Sequence, residues 1–154
     1  MAFEDGGPAT DPFCLSRFLD AQAADYSVAL AELRAGRKRT HWVWYVFPQL
    51  CGLGLSGASS FYGIAGMDEA RAYLAHPVLG ERLRECVCAM LANDGKDGRE
   101  ILGEVDAMKF RSCLTLFSAA APDEPLFREA LKRFFAGEPD PRTMALLGAG
   151  EGDG

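Results

Sequence analysis

Apolar residues recur at helical spacing along most of this chain. The most regular stripe follows Pro77 at intervals of four, three and four residues and consists of Leu79, Leu83, Cys86 and Met90. Polar residues occupy the opposite face, which is typical of a helix packed on a core. Similar stripes, each bounded by a capping residue, a proline or a glycine, predict further helices at residues 11–22, 26–36, 68–74, 110–118, 122–137 and 140–147.

One segment, residues 36–66, departs from this pattern. It contains an unbroken apolar run, residues 42–47, which includes both tryptophans of the chain, Trp42 and Trp44. The aromatic and β-branched composition of residues 41–47 favours a strand, and a run that is apolar on all sides must be buried in either conformation. Tryptophans in such a run most often belong to the core, although they can also stack against a ligand.

Glycines follow the apolar run closely. Residues 52–57 match G-x-G-x-x-G, the pattern of a dinucleotide-binding loop. That interpretation fails because residues 48–51 separate the run from the glycines, and because Gly63 and Gly66 interrupt the long helix that would have to follow. Successive glycine N–H groups in a turn can nevertheless form an anion-binding concavity, while the alternative is that these glycines serve only turns.

The composition is that of one soluble globular domain. The chain has 154 residues, of which 49% are hydrophobic and 25% are charged. We predict that residues 11–147 form the domain and that residues 1–10 and 148–154 are loose tails. No apolar run approaches the roughly 20 residues of a membrane span, and the first residues lack the basic and apolar regions of a signal peptide, so no membrane association is expected.

The net charge of −6 is distributed unevenly. Residues 33–67 contain no acid and four bases, which are Arg34, Arg37, Lys38 and Arg39. Such a segment in an acidic protein indicates an anionic ligand, unless acidic residues from elsewhere in the fold neutralise it. Broad nucleic-acid binding is not expected, because it normally requires a domain-wide basic face.

The cysteines and histidines indicate free thiols rather than a metal site. Five cysteines without paired spacing are typical of a reducing, cytoplasmic setting. Only two histidines are present, His41 and His76, so the sequence predicts no metal ion and implies no cofactor. Because residues two apart on a helix point about 200° away from each other, we expect Cys86 in the core and Cys88 at the surface.

Several short motifs of this sequence resemble one uncharacterised, mostly bacterial family. They are His41-Trp42, Phe47-Pro48-Gln49, Gly52-Leu53-Gly54, Tyr62-Gly63-Ile64, His76-Pro77-Val78-Leu79-Gly80, Arg111-Ser112 and Thr115-Leu116-Phe117. The family is known as domain of unknown function 1810, and the resemblance extends over residues 11–147. It implies a single, mainly α-helical domain, which replaces the strand at residues 41–47 by helical structure, and it implies no function. Some members carry the label calpastatin, but this compact, repeat-free sequence is unlike the disordered, repetitive calpain inhibitor of that name.

Together the stripes and the resemblance predict an all-α single domain of six to eight helices. Residues 36–66 are expected to form an irregular, glycine-rich excursion on its surface. Our function hypothesis is that a small anionic ligand, containing a phosphate or a nucleotide, binds to residues 37–57 and to the helix at residues 109–112. The candidate ligand-binding residues are Lys38, Trp42, Trp44, Gln49, Gly52, Gly54, Ser56, Lys109 and Arg111.

The candidate residues have different expected roles. Lys38, Lys109 and Arg111 would hold the anion, the glycines would donate backbone N–H groups, and a tryptophan would form the wall. His41 is the candidate for acid–base catalysis because histidine ordinarily titrates near neutrality, although a lone histidine is more often structural. The sequence leaves open whether the protein is an enzyme.

The alternative hypothesis is a non-enzymatic protein-interaction module that uses the aromatic residues 42–47. Tryptophan, tyrosine and arginine commonly anchor protein interfaces. The ligand hypothesis predicts a concave pocket on which Lys38, His41 and Arg111 converge. The interaction hypothesis predicts that the aromatic side chains of residues 42–47 form an exposed patch.

Overall fold

The computed structural model describes residues 11–53 and 57–153, and helices dominate them. Six of the helical segments in this part have nine residues or more, and three have five residues or fewer. In chain order they are α1 (Ser16–Ala35), α2 (Val43–Val46), α3 (Gly57–Phe61), α4 (Met67–Ala75), α5 (Leu79–Leu91), α6 (Gly98–Leu102), α7 (Glu104–Ala120), α8 (Pro125–Phe135) and α9 (Pro141–Asp153). The β pairing in this part of the chain is one isolated parallel bridge between Leu50 and Ile64. The predicted all-α single domain is confirmed.

Helix α1 is continuous where the sequence predicts two helices. The Asp11 carboxylate accepts hydrogen bonds from the backbone N–H groups of Leu15, at 2.7 Å, and Ser16, at 3.1 Å. Gly36 ends the helix with a φ of 78°, a left-handed conformation that suits glycine. Residues 23–25 contain neither glycine nor proline, so nothing interrupts the backbone hydrogen bonds between the two predicted helices.

Helix α7 forms the centre of the core. It packs against α4, α6, α8 and α9. Residues 112–117 are all buried, so this part of the helix is covered on every side. The Phe110 ring lies 4.6 Å from Phe47 and 5.8 Å from Phe134, and these contacts join α7 to the apolar run and to α8.

The apolar run at residues 42–47 forms neither a strand nor a surface excursion. Its middle forms the single turn α2, which agrees with the helical structure implied by the family resemblance. Trp42 is only 1% exposed and Phe47 is fully buried. The run enters the core because removal of such large apolar side chains from water stabilises the fold. The expected surface location applies instead to residues such as Cys51 and Gly52, which are exposed.

A close approach between α4 and α5 requires Gly80. A Cβ at this position would lie 2.1 Å from the carbonyl oxygen of Leu74, which is far inside contact distance. His76 caps the start of α5, since its Nδ1 accepts hydrogen bonds from the N–H groups of Val78 and Leu79. The junction therefore depends on one small residue and one polar cap.

Of the two predicted tails, residues 1–10 and 148–154, the structure describes only part of the second. Residues 1–10 lie outside the described part of the chain. Helix α9 runs to Asp153, past the end predicted at Leu147. Glycines in a helix are unfavourable but do not forbid it, and no proline follows Pro141, so the helix can continue through residues 148–153.

The cysteines lie as the helical pattern predicts. Cys86 is buried, Cys88 is exposed, and all five cysteines are free. Over residues 11–53 and 57–153, no helix has both the length and the apolar character needed to cross a bilayer. In the same residues, no cluster of three or more His, Cys, Asp or Glu side chains could hold a metal ion.

Candidate functional site

A cavity of about 330 Å³ opens between residues 44–63 and the first halves of α7 and α9. This volume lies near the lower end of the range for small-molecule sites, roughly 300–1,000 Å³. The cavity is lined by Trp44, Gln49, Leu50, Leu53, Tyr62, Gly63, Val105, Met108, Lys109, Ser112, Asp140 and Arg142. These residues come from four parts of the chain that the fold brings together.

Two groups of lining residues differ in exposure. Gln49, Ser112 and Asp140 are buried and polar, and we call them the floor of the cavity. Val105, which is 69% exposed, and Arg142, which is also exposed, form the mouth. The site therefore combines buried hydrogen-bonding groups with a cation that faces solvent.

Gln49 is the unsatisfied residue of the floor. It is 9% exposed, and its Nε2 is buried without a hydrogen-bond partner among residues 11–53 and 57–153. Its backbone is fixed, because the Gln49 carbonyl accepts a hydrogen bond of 2.8 Å from the N–H of Ile64. An unpaired buried donor costs about 1–3 kcal/mol, and nearly all buried polar groups are paired. Because water does not reach Nε2, the amide has to turn toward the cavity to meet an acceptor on a bound molecule.

The other two floor residues are held by the helices that carry them. The Ser112 hydroxyl donates to the Met108 carbonyl at 3.2 Å. Asp140 caps α9, since its Oδ2 accepts from the N–H and the hydroxyl of Thr143, at 2.9 and 2.7 Å. The N–H of Asp140 donates to the Thr115 hydroxyl at 2.8 Å, which fastens the start of α9 to α7. These hydrogen bonds hold two of the three floor residues, Ser112 and Asp140, in place.

Asp106 pairs with two lysines beside the cavity. Lys109 Nζ lies 3.2 Å from Oδ1 of Asp106, and Lys38 Nζ lies 2.8 Å from Oδ2. The same ammonium groups lie 4.1 Å from the ring centre of Trp44 and 5.1 Å from that of Trp42. Burial disfavours the ionised form of Asp106, but the two lysines outweigh it and lower the pKa. One carboxylate between two ammonium groups leaves a net charge of +1.

Glu32 engages the other end of the basic segment. Its carboxylate accepts hydrogen bonds from the N–H groups of Arg39 and Thr40, the Thr40 hydroxyl and Nε1 of Trp42. Burial opposes ionisation, yet these donors lower the pKa of Glu32 to about 2. Among the bases of this segment, Lys38 pairs with Asp106 of α7 and Arg34 with Glu85 of α5, so acidic residues from elsewhere in the fold offset part of its charge.

Three of the predicted ligand-binding residues line the cavity, namely Trp44, Gln49 and Lys109. Lys38 is not a lining residue, since its side chain is 7% exposed and ends on Asp106. It is linked to the cavity only through the carboxylate that it shares with Lys109.

His41 and Arg111 lie away from the cavity lining. His41 is exposed at the start of the apolar run. Arg111 ties α7 to the connection between α8 and α9, because Nε and Nη2 donate to the carbonyl oxygens of Glu138 and Pro139 at 2.9 and 3.0 Å. Lys38, His41 and Arg111 therefore do not converge on one pocket.

Of the remaining predicted residues, Trp42 and Gly52 do not line the cavity. Trp42 is buried in the core, and its Nε1 donates to Glu32 at 2.8 Å. Gly52 is exposed and is not a lining residue. Gly54 and Ser56 lie outside the described residues.

Sequence reasoning missed two charged residues of the site, Asp140 and Arg142. The signal that it did find was Asp140-Pro141, which marks the start of a helix. A capping carboxylate and an arginine in the next turn are common at helix starts, so the pattern alone does not identify a site. Only the packing of α9 on α7 shows that both residues reach the cavity that contains Gln49.

Comparison with known proteins now identifies the family. Residues 12–147 match the family model of DUF1810, described as a protein of unknown function. The chain belongs to the DUF1810 family. The resemblance indicated by the sequence motifs is therefore confirmed. No protein in the curated set matches this chain.

A solved structure supports the fold of this DUF1810 chain. The crystal structure of the conserved hypothetical protein Rv1873 from Mycobacterium tuberculosis, at 1.38 Å, is similar, with 47% sequence identity and a TM-score of 0.88. The match covers 90% of this chain and 99% of that chain. Neither the DUF1810 description nor the description of Rv1873 names an activity.

Proposed function

We propose that this protein binds a small anionic ligand, which contains a phosphate or a comparable group, in the cavity of about 330 Å³. The anion contacts Lys109 and Arg142, and the apolar part of the ligand contacts Trp44 and Leu50. The proposal keeps the class of ligand expected from the sequence. It keeps Trp44, Gln49 and Lys109 and adds Leu50 and, from the start of α9, Arg142.

Gln49, which belongs to the floor of the cavity and whose Nε2 has no partner among the described residues, carries this proposal. A buried donor without an acceptor lowers the stability of the unliganded protein by about 1–3 kcal/mol. A ligand with an acceptor removes that cost when it binds. The orphaned donor therefore supports a binding role for the cavity better than a purely structural one.

The charges of the lining support an anion rather than a cation. Lys109 belongs to a group of two lysines and one aspartate with a net charge of +1. Arg142 adds a second positive charge in the first turn of α9, where the helix dipole also favours anions. Asp140 contributes one negative charge, but its Oδ2 is already engaged by Thr143.

The proposal concerns binding and assigns no catalytic step. His41 is exposed and is absent from the lining, so it has no role at this site. The interaction hypothesis loses its support because Trp42 and Phe47, which would anchor a partner, are buried. A cytoplasmic setting remains part of the proposal, and five free cysteines support it.

A thermal-shift screen tests the proposal. The probes are inorganic phosphate, ribose 5-phosphate, the nucleoside 5′-monophosphates and small dicarboxylates. A ligand at 100 times its Kd adds about 2.7 kcal/mol, which raises the Tm of a chain of this size by roughly 5–10 °C. Lys109→Met and Arg142→Met should remove the shift. Lys132→Met and Arg37→Met are the matched controls, since both residues are exposed and neither lines the cavity.

The thermal-shift screen has three distinguishable outcomes. A shift that the two cavity variants lose and the two controls keep supports the proposal. A shift that all four variants keep moves the ligand to another site and contradicts it. The absence of a shift with every anion in the panel also contradicts it.

A further inference from the structure

The floor of the cavity offers complementary hydrogen-bonding groups. Gln49 Nε2 is a donor without a partner. The Ser112 hydroxyl gives its proton to Met108, so its oxygen can only accept from a ligand, and the Asp140 carboxylate is also an acceptor. A ligand that matches this floor presents an acceptor and at least one N–H or O–H donor along the same edge.

The walls above the floor are apolar and aromatic. They are formed by Trp44, Leu50, Leu53 and Tyr62. A sugar would bury hydroxyl groups against these walls without partners, which is unfavourable. A flat heteroaromatic ring would place its faces against the walls and its polar edge on the floor.

The size of the cavity limits what else the ligand carries. A volume of about 330 Å³ is near the lower limit for small-molecule sites. It suits one nucleobase inside the cavity, with the attached sugar phosphate at the exposed mouth, and is too small to enclose a dinucleotide. Lys109 and Arg142 remain to contact the anion once the ring occupies the floor and the walls.

We infer that the ligand is a mononucleotide-sized molecule whose nucleobase edge is bound by the floor. A carbonyl oxygen or ring nitrogen of the base accepts from Gln49 Nε2, an N–H group of the base donates to Asp140, and the phosphate contacts Lys109 and Arg142. This inference rests on the proposed function, because it names the class of that anionic ligand.

Calorimetric titration of the full chain tests the inference. The probes are the four common ribonucleoside 5′-monophosphates, the matching nucleosides and ribose 5-phosphate. At least one nucleotide should bind about tenfold or more tightly than ribose 5-phosphate, the factor expected from one satisfied hydrogen bond. Gln49→Leu should reduce the affinity for that nucleotide to the level at which the parent binds ribose 5-phosphate, and a urea denaturation curve like that of the parent shows that the variant is folded.

The variants and probes distinguish the inference from the proposed function. If ribose 5-phosphate and the nucleotides bind equally, or if Gln49→Leu binds the nucleotide as the parent does, the inference is overturned and the anion site stands. If nucleosides bind as tightly as nucleotides and Arg142→Met changes neither, the base is recognised and the anion site fails. If none of the probes binds, both fail.

Discussion

The two glutamines of this chain are both buried, yet their surroundings differ. Gln22 is 2% exposed, and its Nε2 donates to the Tyr45 carbonyl at 2.6 Å and to the Tyr73 hydroxyl at 3.2 Å. Its Oε1 accepts from Arg82 at 3.2 Å. Gln49 is 9% exposed, and its Nε2 has no partner. Burial is similar, so the difference lies in whether the protein itself completes the network.

The two tryptophans repeat this contrast. Trp42 is enclosed, and its Nε1 donates to Glu32. Trp44, two residues later, is half-buried and lines the cavity under the Lys109 ammonium. The region around Gln22 and Trp42 is a closed structural unit, whereas the region around Gln49 and Trp44 borders the cavity. The contrast shows that satisfaction of polar groups, more than burial, separates a structural cluster from a candidate binding site.

The largest expected effect on stability concerns the two tryptophans. Trp42→Ala should lower the free energy of unfolding by about 3–5 kcal/mol, because it empties a buried aromatic site. Trp44→Ala should cost roughly half as much, because part of its surface already faces the cavity. Urea denaturation measures both values. Equal losses would mean that the cavity wall is as much a part of the core as Trp42.

The next comparison exchanges each glutamine for leucine. Gln22→Leu should lower the free energy of unfolding by about 2 kcal/mol, because it strands the partners at Tyr45, Tyr73 and Arg82. Gln49→Leu should leave stability unchanged or raise it by up to about 1 kcal/mol, because it removes an unpaired donor. Parallel urea melts of the two variants provide the test. A similar loss of unfolding free energy in both variants would contradict the conclusion that Gln49 Nε2 has no hydrogen-bond partner within the described part of the chain.

The pH dependence of the free energy of unfolding tests how much the Glu32 charge stabilises the closed structural unit around Trp42. The pKa of Glu32 is about 2 in the folded protein against an ordinary 4.5, so its ionised form stabilises the fold above pH 4.5, and this contribution is lost as the pH falls towards 2. Glu32→Gln should therefore be less stable than the parent by about 2 kcal/mol at pH 7. The gap should close between pH 4.5 and 2. Denaturation at a series of pH values measures it, and a gap that persists unchanged at low pH would count against the prediction.

The smallest expected effect concerns the two lysines that share Asp106. Lys38→Met should cost about 1–2 kcal/mol, because this lysine is nearly buried, and Lys109→Met should cost less than about 1 kcal/mol. Thermal denaturation at low ionic strength compares the two. A larger loss for Lys109→Met would assign that lysine a mainly structural role and weaken the contrast.

Helical stripes predicted most of the fold from the sequence. The run at residues 42–47 shows where they stop being sufficient. As a strand, Trp42 and Trp44 would share one face, whereas in the structure Trp42 is the N-cap of α2 and Trp44 lies inside that turn, so the two side chains leave the backbone in different directions. Composition favoured the strand, and only the family resemblance favoured a helix. The core position of Trp42 and the cavity position of Trp44 follow from that single difference in backbone conformation.

The candidate site was predictable only where its residues belong to the unusual segment. Trp44 and Gln49 are in or next to the apolar run, and Lys109 lies two residues before the family motif Arg111-Ser112. Asp140 and Arg142 belong to an ordinary helix start, and nothing in their spacing indicates which helix they will face. Tertiary packing decides that, because α9 is fixed on α7 by the hydrogen bond between Asp140 and Thr115.

The bridge between Leu50 and Ile64 has an entropic consequence for binding. Ile64 donates to the carbonyl of Gln49 and accepts from the N–H of Cys51, each at 2.8 Å. The backbone beside the unpaired amide is therefore ordered before any ligand arrives. Association normally loses free energy when it orders loops and side chains, and a preorganised site avoids most of that loss. One bridge thus lets a small cavity reach a given affinity with fewer contacts than a mobile loop would need.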